Sequence, residues 1–198
     1  MTRIFFILAT FSLLLLVAAF ALGLGVGKLD QDADASTLRW ATVHRLTGVA
    51  AALAVVLVNS IVVTYFIGTS RWCKEVCETY RLPPGHREQS TRIKRHAFPW
   101  ALTGMLTVVG LAALGAAADP ATGRPNTSDW TVFHLAGALV GIPLVAWCYF
   151  SIWNELQANL LMIQGVMAQV ERIRAKRSLP NAQFRAQETE PCEPASSE

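Results

Sequence analysis

The chain has 198 residues, 53% hydrophobic and only 16% charged, with a formal net charge of +3 at pH 7. Soluble domains carry roughly a quarter charged residues, so this composition excludes an ordinary soluble enzyme and points to a chain built for lipid. The sequence contains no Walker loop, dinucleotide fingerprint, H-E-x-x-H or nucleophile elbow, which leaves no hydrolase, transferase or nucleotide-binding signature.

The first element is an uncharged run ending near Gly27, and about 20 apolar residues suffice to cross a bilayer as a helix. Arg3 before it and Ala19-Phe20-Ala21 near its end imitate a cleavable signal peptide. Its uncharged length and its likeness to a later segment favour retention instead. Three further apolar runs follow, and helices are expected over about 4–27, 42–70, 97–118 and 130–154.

The two halves carry the same anchors. "RWATVHRLTG" at Arg39–Gly48 returns as "DWTVFHLAG" at Asp129–Gly137, so Trp40 and His44 align with Trp130 and His134, and Leu22-Gly23 aligns with Leu114-Gly115. This spacing reads as tandem duplication of one helical hairpin, 1–70 and 97–154. A hairpin has an even number of crossings, so its copy keeps the same orientation. The fold class expected is therefore an all-α membrane protein with four transmembrane helices in an antiparallel bundle, helices two and four running parallel.

Between the hairpins, residues 71–96 form a basic loop with Arg71, Lys74, Arg81, Arg87, Arg92, Lys94 and Arg95. Helix two is expected to reach about Leu82, break at Pro83-Pro84-Gly85 and restart near Ser90. Arg3 and the basic residues after helix four add to this side. The positive-inside rule then makes the chain a multi-pass inner-membrane protein with both termini cytoplasmic. The cluster Arg87, Arg92, Lys94 and Arg95 reads as attraction to anionic headgroups of the lipid bilayer rather than as a nucleic-acid site.

After helix four, Leu156, Leu160, Ile163, Met167 and Val170 recur at four- and three-residue steps. That is the period of a docking seam on an amphipathic helix over 155–177, suited to partner subunits or a second copy. Residues 178–198 are polar, acidic and proline-containing, the composition of a disordered tail.

The cysteines are Cys73, Cys77, Cys148 and Cys192. All fall on the cytoplasmic side or in the inner part of helix four, so no structural disulfide is expected. Cys73 and Cys77 with His86 and His96 make a zinc site geometrically conceivable, but the spacing is atypical and separate roles are favoured.

The chemistry-bearing candidates are His44 and His134. Neutral imidazole ligates haem iron well, and an axial pair must come from two segments that face each other at one depth. Gly48, Gly137 and Gly141 would let a planar group approach, and Arg39 or Arg45 could pair a propionate. In outline this resembles membrane cytochromes of the b type, in which histidines on parallel helices of a four-helix bundle hold haem. The resemblance implies a single bis-histidine haem b near the outer face of an electron-transfer subunit, with His44 and His134 as metal ligands. About four turns further in, Val58-Asn59 and Cys148-Tyr149 stand where a di-haem member would carry a second histidine pair.

A competing reading needs no cofactor. Trp40 and Trp130 lie one turn outside the histidines, where an aromatic belt anchors helices, and the chain would then be a scaffold, assembly factor or accessory subunit. Ion transport is disfavoured because no ionisable side chain sits at the middle of any expected span.

Overall fold

In a lipid solvent every backbone N–H and C=O must be satisfied within its own segment, so uncharged runs of this length become helices. A computed structural model of the chain describes residues 1–26, 34–122 and 127–188, with side chains as far as Arg177. The helices are α1 (Thr2–Gly25), α2 (Ala35–Tyr80), α3 (Gly85–Ala118) and α4 (Thr127–Glu188), with a short 3-10 turn at Pro120–Thr122. No strand occurs among the described residues. All four helices are long and apolar enough to cross a membrane.

Local chemistry sets the helix ends. Asp34 caps α2, its carboxylate accepting from Thr37 N at 3.0 Å and from Ser36 Oγ at 2.7 Å. These bonds, that of Thr37 foremost, hold its carboxyl at about 2, below the ordinary 3.8. At the other end of α2, Arg81 adopts the left-handed conformation at φ 54 and ψ 45, and Leu82 N donates to Cys77 O at 3.0 Å. That bond closes the last turn in the manner of a Schellman cap. α3 then begins at Gly85, with Pro84 as its N-cap residue, five positions before the expected restart at Ser90. Proline at a helix entrance costs nothing, since its missing N–H has no intrahelical partner there.

The backbone of α4 is helical to Glu188, so residues 178–188 extend the helix rather than opening the expected disordered tail. Extending an existing helix is far easier than nucleating one. Residues 27–33, 123–126 and 189–198 lie outside the described residues.

Neighbouring helices pack in the order α1, α2, α3, α4, with α1 also meeting α4 and α2 approaching α4 across the interior. Large apolar side chains such as Ile7, Leu14, Leu46, Leu53, Val132 and Val140 point outward, as lipid permits. The interior therefore holds together by close packing and polar contacts rather than by a hydrophobic drive.

Burial repeats along the chain. Ala51, Val55, Val58, Asn59, Val62 and Phe66 are buried in α2, and so are Gly141, Val145, Cys148, Tyr149, Ile152 and Leu156 in α4, each at its partner's number plus 90. Phe5, Ala9, Ser12 and Leu16 of α1 likewise correspond to buried Ala97, Ala101, Gly104 and Val108 of α3, at an offset of 92.

Two polar contacts occupy one register. Ser12 Oγ donates to Ala9 O at 2.9 Å and lies 2.8 Å from Tyr149 Oη, so the tyrosine hydroxyl is the donor of that second bond. At the corresponding positions Asn59 faces Gly104, where an added Cβ would stand 3.1 Å from Asn59 Nδ2. Asn59 Nδ2 donates to Val55 O at 2.9 Å, and its Oδ1 has no partner.

Towards the basic end, Asn159 Nδ2 donates to Tyr65 Oη at 3.1 Å, and Arg174 Nε donates to Tyr80 Oη at 2.9 Å. The buried stripe of α4 here is Leu156, Asn159, Met162, Val166 and Val170. Leu160 and Met167 are exposed, so the seam expected for docking is divided: Leu156 and Val170 are spent on the chain's own packing.

Two outcomes follow for stability. Gly104→Val should lower the unfolding free energy by roughly 1–3 kcal/mol through overpacking against Asn59, read by thermal unfolding in detergent, whereas Gly110→Val, with open space around it, should change little. The Asp34 cap, whose folded pKa is depressed, should contribute fully above about pH 4 and be lost as pH falls towards about 2. Hydrogen exchange at the Thr37 amide should accelerate, relative to its neighbours, across that window and not above it.

Candidate cofactor-binding site

The site lies where the C-terminal turns of α1 and α3 meet the N-terminal turns of α2 and α4. In an α-helix the carbonyl of residue 19 lies beside residue 23, and the absence of a side chain at Gly23 opens that carbonyl to a neighbouring helix. The His44 ring fills the opening. A Cβ on Gly23 would stand 2.9 Å from His44 Cε1, and His44 Nδ1 lies 2.8 Å from Ala19 O. A carbonyl only accepts, so this bond assigns the proton to Nδ1 and leaves Nε2 with a free lone pair, the arrangement in which a metal-bound histidine is commonly oriented.

His134 repeats the arrangement against α3. A Cβ on Gly115 would stand 3.1 Å from His134 Cε1. The ring interacts with the Leu111 backbone, four residues before Gly115 as Ala19 is before Gly23. Its buried Nδ1 nonetheless lacks a hydrogen bond of acceptable geometry. The sequence had marked Gly23 and Gly115 as repeat anchors; their role as seats for the two rings appears only when the helices are packed.

The two rings are neighbours in an edge-on arrangement. Their centroids are 6.2 Å apart and their planes are inclined at 71°, and both side chains are half-buried. Two metal–nitrogen bonds of about 2 Å, plus about 1 Å from each nitrogen to its ring centre, place the centroids of an axial imidazole pair about 6 Å apart. The separation fits such a pair, and mutually inclined planes are compatible with rotation about a metal–nitrogen axis.

The other expected site residues lie in different surroundings. Gly48 has open space around it. Gly137 and Gly141 do not open towards the rings: Leu114 and Leu111 of α3 fill them, each with a methyl carbon 2.9 Å from the position of an added Cβ. They were expected to admit a planar group, but their missing side chains are used for the α3–α4 contact. Arg45 is engaged with Asp119 at 2.8 Å, just beyond α3, while Arg39 and both tryptophans of the repeat, Trp40 and Trp130, are exposed.

Among the described residues no group of three or more His, Cys, Asp and Glu side chains is arranged to hold a metal ion, so any ligation here rests on the histidine pair alone. The chain matches no protein-family model, no curated protein and no solved structure.

The contact of ring with glycine can be tested directly. Gly23→Ala should push the His44 ring off Ala19 O and shift its Nδ1 resonance in a nitrogen-15 histidine spectrum, while Gly48→Ala should leave that resonance in place.

Proposed function

We propose that the chain is an inner-membrane electron-transfer subunit in which His44 and His134 hold a single haem b near the outer face. The observation that carries this reading is the pair of imidazoles, each seated on a glycine of a different neighbouring helix, with centroids 6.2 Å apart. Haem would supply a one-electron carrier. The protein's part is to orient the rings and exclude water: Ala19 O holds the His44 tautomer with Nε2 free, and the apolar helices shield the site. Among the described residues, the exposed Arg39 could pair a propionate, whereas Arg45 is already bound to Asp119.

The architecture proposed with it is an antiparallel four-helix bundle formed by tandem duplication of one hairpin. The offsets of 90 and 92 that align the buried positions support it, as does the matching ring-on-glycine contact in each half. With the basic residues of 71–96 facing the cytoplasm, both termini are cytoplasmic and the histidines lie near the outer surface. Electrons would pass between quinol or another outer-side donor and partner subunits in the same bilayer.

One observation favours a second reading, a cofactor-free scaffold, assembly factor or accessory subunit. The His44 ring is already satisfied by Ala19 O and packed on Gly23, and the exposed Trp40 and Trp130 suit interface anchors. In that case the exposed members of the α4 seam, Leu160 and Met167, are the natural contacts for a partner or a second copy.

A reduced-minus-oxidised spectrum of the detergent-purified protein separates the two readings. The haem reading expects Soret and α bands that disappear in His44→Ala and in His134→Ala while the helical content is retained. A colourless protein from haem-replete cells would leave the scaffold reading, whereas bands that survive both substitutions would overturn ligation by this histidine pair and the cofactor-free reading alike.

A further inference from the structure

At the opposite end from the histidines, α2, α3 and α4 converge on three sulfur atoms. Cys73 is wholly buried, and its Sγ lies 4.0 Å from Cys77 Sγ and 3.8 Å from Met162 Sδ. Cys77 and Met162 are buried as well. The cysteines share one face of α2, since residues four apart are helix neighbours, whereas the methionine comes from α4. Both thiols are free, and their separation is about twice the S–S bond of a disulfide.

The spacing has a coordination meaning. Three sulfurs bonded at about 2.3 Å around a trigonal metal stand about 4 Å from one another, and both measured edges of this triangle have that length. A second observation points the same way. Ser90 of α3 is 3% exposed, and its Oγ lies beside Cys73 without a hydrogen bond of full geometry. Cys73 Sγ also lies 3.6 Å from His86 O, so α3 closes the third side. The buried cluster is thus lined with sulfur and bordered by one hydroxyl.

We propose that Cys73, Cys77 and Met162 form a binding site for one Cu(I) ion, independent of the histidine pair. Two thiolates with a thioether make a soft donor set of the kind that selects Cu(I), whereas Zn(II) in structural sites takes four ligands, commonly Cys, His or a carboxylate. Such a fourth ligand is missing: among the described residues no three His, Cys, Asp or Glu side chains gather at a metal site. Binding is a ligand exchange without electron transfer. Cu(I) arrives reduced, the two S–H protons leave to solvent, and two Cu–thiolate bonds and one Cu–thioether bond form.

The test is an anaerobic titration of the full-length protein in detergent with Cu(I) buffered by bicinchoninate. The wild-type chain should withdraw one Cu(I), with X-ray absorption showing sulfur neighbours at about 2.3 Å. Cys73→Ser and Cys77→Ser should abolish uptake. Met162→Leu, which nearly preserves volume and so the fold, should weaken it by roughly 10- to 100-fold. Cys148→Ala and Cys192→Ser should leave it unchanged. Failure of the wild type to compete with bicinchoninate, unchanged affinity in Met162→Leu, dependence on Cys192, or tighter retention of Zn(II) in a nitrogen- or oxygen-bearing shell would each overturn the proposal. Circular dichroism and monodispersity of every variant separate a lost ligand from a lost fold, and Met162→Leu decides if a cysteine variant misfolds.

Discussion

Hydrocarbon offers a helix no partner for a polar ring, so a histidine carried into the bilayer must find its acceptor on a neighbouring helix or remain at the water boundary. This constraint organises the histidine-bearing end of the molecule. The bare backbone of Gly23 makes the Ala19 carbonyl reachable for His44, Gly115 seats the His134 ring in the same way, and each ring fixes how closely two helices approach. Once both rings are seated, their free edges are directed by the same contacts that hold the helices, and the two rings come to lie 6.2 Å apart. The same packing thus sets helix spacing and brings the two imidazoles together.

The opposite end follows a different logic. There α2 and α4 run well past the apolar spans, and the contacts between them are polar or sulfur-bearing: Asn159 with Tyr65, Arg174 with Tyr80, Met162 with Cys73. Water is available at the rim, so charged side chains such as Arg71 and Glu75 pair at the surface, where such pairs contribute at most about 1 kcal/mol. Burial is kept for a narrow stripe. The two ends are chemically distinct, nitrogen donors at one and sulfur donors at the other, separated by a mid-depth layer whose polar members are Ser12, Tyr149 and Asn59.

Much of this was legible in the chain itself. Charge-free runs announce helices because nothing else can satisfy a backbone in lipid, and the repeated Trp-x-x-x-His spacing singled out the one pair of histidines that comes together. What could not be read depends on contacts distant in sequence. Whether a glycine admits a ring or a leucine depends on the helix opposite, so Gly137 and Gly141 drew attention that belonged to Gly23 and Gly115. The expected seam on α4 counted apolar residues only and passed over Asn159, whose polarity is matched from α2. Met162 carried no local signal because the sulfur it touches, that of Cys73, lies 89 positions earlier, and the start of α3 was placed late because a proline pair reads as a break when it can equally open a helix.

The layer at mid-depth has a consequence for how the halves relate. Hydroxyl meets hydroxyl where α1 touches α4, while a carboxamide meets a bare backbone where α2 touches α3. Two identical copies of the first hairpin would bring Ser12 against Asn59, and two of the second would set Tyr149 against Gly104, a phenol with no acceptor. The two halves are thus complementary at this layer, and covalent linkage through residues 71–96 keeps these unlike partners together.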